Sequence, residues 1–190
     1  MAQKLILPIN KTRITAGYKN ANYRKEFGYN HYGVDYTDQQ KSDKTVWGSG
    51  DGVITHAGWS NSCGNVICAV YKNCQLTNGQ VKDLTIRYYH LEKINVKAGD
   101  KITKDTRLGL YGSTGASTGD HLHIEIDTDT KYPNYTPQIG KNSGVLKAGT
   151  DSTINPTTAL YVKTTSPDNQ SVKNSGYNTV ASSDLSYQKY

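Results

Sequence analysis

Long apolar runs are missing from this 190-residue chain. Nothing in it approaches the eighteen or so consecutive apolar residues that a membrane-crossing helix requires, so no membrane insertion is expected. Met1 to Pro8 is too short for an export signal, and Pro8 ends its apolar stretch. Sustained helical periodicity is also absent, which leaves no recognition-helix pattern for nucleic acid. Hydrophobic content is only 35%, with one phenylalanine against fifteen tyrosines. The three cysteines, Cys63, Cys68 and Cys74, form no C-x-x-C pair, which argues against a cysteine-rich zinc site. Their odd number permits at most one disulfide, formed outside the cell, with one thiol left over.

Short alternating runs separated by Gly, Asn, Asp and Ser fill the chain instead. They include Val53-Ile54, Asn65 to Tyr71, Val81 to Tyr89, Arg107 to Tyr111 and His121 to Ile126. This is the pattern of a mainly β, antiparallel domain with few or no helices. Lys72-Asn73 and Thr77 to Gln80 are expected to form the loop of a long hairpin, with Asn78-Gly79 as its turn. From Lys163 to Tyr190 the chain is rich in Ser, Thr, Asn, Lys and Tyr and has little aliphatic pattern. We therefore expect a domain over 1–162 and a polar tail or docking segment over 163–190.

Five histidines are present, and four of them fall in three places: His31, His90 and the pair His121/His123. Two imidazoles and a carboxylate form the ligand set of a catalytic zinc ion, and further imidazoles beside it supply acid–base chemistry. In His121-Leu122-His123-Ile124-Glu125-Ile126 the alternation predicts a half-buried strand. Leu122, Ile124 and Ile126 would face the core, and His121, His123 and Glu125 the other side. Same-face neighbours lie roughly 6–7 Å apart, so one imidazole can bind a metal while the other reaches its bound water. His31 and Asp35 would be about 13 Å apart in an extended strand. Gly33 lets the backbone bend, so a loop turning into the strand Val34-Asp35-Tyr36 is expected. His90 is expected at the end of a strand. The Gly112–Gly119 loop lacks a closing Lys-Ser/Thr pair and leads into a strand, which excludes a phosphate loop. Its expected job is a tight connection that lets a peptide backbone approach the metal.

These motifs together resemble the lysostaphin/LytM-like zinc metallopeptidases, peptidase family M23, which cut peptide bonds in bacterial cell walls. The likeness is carried by His31-Tyr32-Gly33-Val34-Asp35-Tyr36, Gly50-Asp51-Gly52-Val53-Ile54, Gly64-Asn65-Val66, Tyr89-His90-Leu91, Gly99-Asp100 and the stretch from Gly112 to Glu125. Asn155-Pro156, with Leu160 after it, matches the family's closing element. The resemblance runs from about Ile14 to about Val162. It implies one zinc ion per chain held by His31, Asp35 and His123, with His90 and His121 as catalytic histidines. It departs from the family at Asp120, where proline is usual; the carboxylate there either caps the turn, the favoured role, or binds an imidazole. It departs again in the extra chain between Asp127 and Asp151, expected to form an ordered loop on the groove wall.

The implied substrate is bacterial peptidoglycan. A net charge of +6, with Lys4, Lys11, Arg13, Lys19, Arg24 and Lys25 near the start, suits anionic wall polymers. Delivery by a bacteriophage, on a virion tail beside tail proteins or as a lysin released at lysis, would need no export signal. Tyr18, Tyr23, Tyr29, Tyr32 and Tyr36 bracket the first metal motif, where packing, rim and groove-lining roles are all expected. Two other readings stand beside this one. An iron(II) oxygenase also uses two histidines and a carboxylate, but has no use for His90 and His121. A silent wall-binding or virion structural protein normally loses ligands, and here all five positions are filled.

Overall fold

The computed structural model of the chain describes residues 1–10, 12–38, 43–131, 133–134, 151–163 and 177–179. Its elements in chain order are β1 (Leu5–Ile6), β2 (Thr12–Ala16), α1 (Ala21–Phe27), β3 (Val34–Asp38), β4 (Thr45–Trp47), β5 (Gly52–Ser60), β6 (Gly64–Gln75), β7 (Val81–Ile94), β8 (Lys101–Ile102), β9 (Arg107–Tyr111), β10 (Leu122–Asp127), β11 (Thr153–Ile154), a single 3-10 turn at Pro156–Thr158, β12 (Leu160–Lys163) and β13 (Tyr177–Thr179). The main sheet runs β2-β3-β10-β7-β6-β5-β8, and every pairing along it is antiparallel. A small second sheet joins β1 to β12 in parallel and β12 to β13 antiparallel. Residues 177–179, within the expected tail, thus contribute a strand. Most of the extra chain expected between Asp127 and Asp151 lies outside the described residues.

The lower face of the main sheet carries the core. Ile54, Ile67, Ala69, Tyr71, Leu84, Ile86, Tyr88, Leu122, Ile124 and Ile126 are all essentially buried there. Period-2 alternation drives this, because every second side chain of a strand points to the same side. Burying a Val, Leu or Ile side chain contributes roughly 1.5–3 kcal/mol. Leu76 and Gly79 close the β6–β7 hairpin through the Gly79 amide, 2.9 Å from the Leu76 carbonyl, with Gly79 at φ +80s geometry that a glycine adopts readily (φ 86). Lys72 and Asn73, expected in that loop, instead belong to β6, where the register shifts between Tyr71 and Cys74 and Asn73 takes φ 54.

The opposite face of β10 is buried too, which corrects the expectation of a half-buried strand. Glu125 and Asp127 lie against the guanidinium of Arg87 on β7, and all three are almost inaccessible. Arg87 also donates from Nε to the Pro133 carbonyl at 3.0 Å, so the chain after β10 folds back over this ion cluster. The one α-helix among the described residues, α1, begins at Asn20, whose side chain accepts from the Asn22 and Tyr23 amides, and ends at Gly28 in the left-handed region. No disulfide joins the three cysteines. All three are buried thiols, with Cys63 and Cys68 clustered with Val66 and Tyr89.

Candidate metal centre

β3 and β10 pair so that Asp35 stands opposite His123. Their side chains emerge from the upper face, and Asp35 Oδ1 lies 2.8 Å from His123 Nδ1. His31 reaches the same point from the loop before β3, with Nε2 3.0 Å from Asp35 Oδ1 and 3.0 Å from His123 Nδ1. The bend that brings it there passes through Gly33. A Cβ at that position would collide with the Ile124 carbonyl and come within 2.6 Å of His123 Nε2. The predicted loop-into-strand arrangement is therefore what the backbone adopts.

The donor set suits a divalent metal. One ligand atom from each of His31, Asp35 and His123 falls within a mutual 4.8 Å. His31 Nδ1 donates to the Gly17 carbonyl at 2.8 Å, which fixes the tautomer and leaves the Nε2 lone pair facing the other two donors. Burial disfavours an imidazolium at His123 and pushes its pKa down to about 4, so this ring is neutral, as a ligand must be. Burial works against ionising Asp35, but the surrounding imidazoles of His31, His121 and His123 outweigh it and hold the carboxyl well below the usual range. Zn²⁺ takes imidazole nitrogens and carboxylate oxygens in this combination.

His121 and His90 flank the three donors. His121 Nδ1 donates to the Gly119 carbonyl at 2.7 Å, so Nε2 carries the lone pair and lies 3.7 Å from Asp35 Oδ1. His90 repeats the device, with Nδ1 donating to the Thr114 carbonyl at 2.8 Å. The two rings lie 4.7 Å apart between centroids. Burial, then the neighbouring His121, lowers the His90 pKa. His90 is not at a strand end. It occupies a bulge within β7, at φ 62, where β7 leaves β10 and begins to pair with β9. The Gly112 amide donates to the His90 carbonyl and the His121 amide to the Gly112 carbonyl, which ties both histidines to the Gly112–Gly119 loop.

Two aromatic rings, Tyr23 beside the first motif and Tyr89 next to His90, brace the ligands by stacking, a role the motifs alone do not assign to them. Tyr89 stacks on His123 at 5.0 Å and 3°, and Tyr23 of α1 stacks on His31 at 4.4 Å and 25°. Of the other tyrosines near the first motif, Tyr36 is buried in the core and Tyr18 donates to the Thr153 carbonyl. Asp120 neither caps its turn nor binds an imidazole as expected. Its carboxylate pairs with Lys44 Nζ at 2.5 Å, and Lys44 also reaches Glu92 at 3.2 Å.

An antiparallel sheet that brings two imidazoles and a carboxylate to one point, flanked by two further imidazoles with free lone pairs, has the makeup of a metallohydrolase. The chain belongs to peptidase family M23, whose sequence model matches residues 29–135. It is 35% identical over 127 residues to the glycyl-glycine endopeptidase ALE-1 of Staphylococcus capitis, an alignment covering 62% of this chain and 32% of that protein. It is 34% identical over 150 residues to lysostaphin of Staphylococcus simulans, covering 72% of this chain and 28% of lysostaphin. The chain thus spans less than a third of the length of either relative. Its structure is similar to that of a zinc-containing peptidase from Vibrio cholerae, with a TM-score of 0.53 and 26% identity over 66% of this chain and 37% of the other.

Proposed function

We propose that this chain is a zinc-dependent endopeptidase that hydrolyses peptide cross-links of bacterial peptidoglycan. The observation that carries the reading is the convergence of His31 Nε2, Asp35 Oδ1 and His123 Nδ1 on one point, with His121 Nε2 3.7 Å from Asp35. The kinship with ALE-1 and lysostaphin supports the substrate class.

In this reading His31, Asp35 and His123 hold the metal. When bound, zinc acidifies a water molecule and polarises the scissile carbonyl. His121 accepts the water's proton at Nε2, the nitrogen left free by its bond to Gly119. His90, tied at Nδ1 to Thr114, has Nε2 available as well. Protonated, it becomes a donor to the oxyanion. The proton that His121 takes from the water is delivered to the leaving amine.

The test is metal content together with clearing of purified bacterial cell walls, with and without chelator. One zinc per chain and chelator-sensitive clearing are expected. Zinc without clearing of any wall type would overturn the substrate assignment, and iron in its place would overturn the hydrolase.

A further inference from the structure

The fifth histidine, His56, has no part in the mechanism above. It lies on β5 and pairs with Cys68 of β6, which pairs with Arg87 of β7, which pairs with Glu125 of β10. That register puts His56 on the upper face of the sheet with the metal ligands. Its ring does not stand over its own row. A Cβ built on Gly58 would meet His56 Cε1 and Nε2 at 3.1 Å each, so the imidazole leans along the strand over Gly58. Gly58 pairs with Val66. The β6–β7 ladder shifts register there, and Val66 shares one buried cluster with Tyr89, which in turn pairs with His123. His56 therefore ends the row that begins at the metal.

Walls rise on both sides of this row. On one side the Gly112–Gly119 loop is joined to the β5–β6 turn by the Ala116 amide to the Ser62 carbonyl and the Asn65 amide to Thr114 Oγ1. On the other, Arg87 is capped by the Pro133 carbonyl, and Thr55 Oγ1 donates to Asn134 Oδ1 at 2.9 Å. From β10 to β5 is three strand-to-strand steps of about 4.8 Å, or about 14 Å. An extended peptide covers that distance in about four residues. Glycine at position 58 leaves the floor there low, with the half-buried imidazole as its polar group.

We propose that His56 is a specificity-determining residue that hydrogen-bonds an oxygen of the substrate peptide about four residues from the scissile bond. The enzyme thereby prefers peptides long enough to reach it. This rests on the peptidase reading above and adds the length of chain that the site reads.

The test compares kcat and KM for wild type, His56→Ala and His56→Gln on oligoglycines and cross-linked stem peptides of two to eight residues. Wild type is expected to favour substrates that extend four or more residues to one side of the cut. A hydrogen bond of ordinary net strength corresponds to about three- to tenfold. His56→Ala should reduce the long-over-short preference by that factor, through KM rather than kcat, and His56→Gln should restore part of it. Gly58→Ala, which crowds the imidazole, should shift the same ratio and serves if the His56 variants fold poorly. An unchanged ratio in His56→Ala, or an equal fall for all lengths, overturns the proposal. Failure of wild type to cut any of these peptides would overturn the peptidase reading itself.

Discussion

Asp35 and His123 are direct cross-strand partners in the β3–β10 ladder, and their side-chain donors meet at 2.8 Å. Two of the three candidate ligands are thus placed by sheet register, the least adjustable feature of a β fold. Only His31 comes from a loop, and its ring is held by the Gly17 carbonyl and by Tyr23.

Ligand and catalytic histidines should separate experimentally. His121→Ala is expected to keep stoichiometric zinc and to lose about 10²- to 10⁴-fold in kcat, the usual contribution of a positioned acid–base group. His123→Ala should lose the metal along with activity. Metal analysis beside wall-clearing rates checks both, and a metal-free His121→Ala would reverse the assignment.

Zinc should also stabilise the fold. A ligand present at about 1,000 times its Kd adds about 4 kcal/mol to the unfolding free energy. Dialysis against chelator should accordingly lower Tm, and added zinc should restore it. A Tm indifferent to chelation would mean that the three donors hold no metal in solution.

Gly33→Ala tests the bend before β3. The new methyl would collide with the Ile124 carbonyl and press on His123 Nε2. Overpacking of this kind costs about 1–3 kcal/mol, and here it should weaken zinc binding as well. Zinc titration together with thermal melting would show both effects, and a variant with wild-type melting and affinity would contradict the close packing described.

Arg87→Met should be among the most damaging substitutions remote from the metal. It leaves Glu125 and Asp127 buried without their guanidinium, a loss of about 3–5 kcal/mol for a broken buried pair. Urea unfolding measures it. Replacing all three with apolar residues should recover much of the loss, because no buried charge then remains.

Lys44→Ala is expected to be mild despite its proximity to His121. Lys44, Asp120 and Glu92 are all substantially exposed, and such pairs are worth about 0–1 kcal/mol in solvent. Wall-clearing within about threefold of wild type is expected at moderate salt. A loss comparable to that of His121→Ala would show that the pair orients the histidine.

Local pattern made much of this molecule legible. The strands of the main sheet, the Asn78-Gly79 turn and the loop-into-strand geometry at His31 to Asp35 all follow from alternation and turn residues. What escaped it depends on distant partners. The polar side of β10 reads as solvent-facing until Arg87, 38 residues earlier, is seen to cover Glu125. The parallel pairing of β1 with β12 joins opposite ends of the chain and leaves no local trace. Seven residues with none buried give α1 no apolar stripe, and only Asn20 and Gly28 mark its limits. The stacking of Tyr89 and Tyr23 on the ligands is likewise a tertiary fact.

The bulge at His90 bears on how this chain can change in length. β7 pairs with β10 before that residue and with β9 after it, and one extra residue reconciles the two ladders. Deleting or adding a single codon between Tyr88 and Leu91 would turn one half of the strand over, sending core side chains to the groove. Loops such as Thr77 to Gln80 can absorb insertions that this stretch cannot. The hairpin tip can therefore lengthen without changing which face a side chain occupies, while the middle of β7 must keep its count.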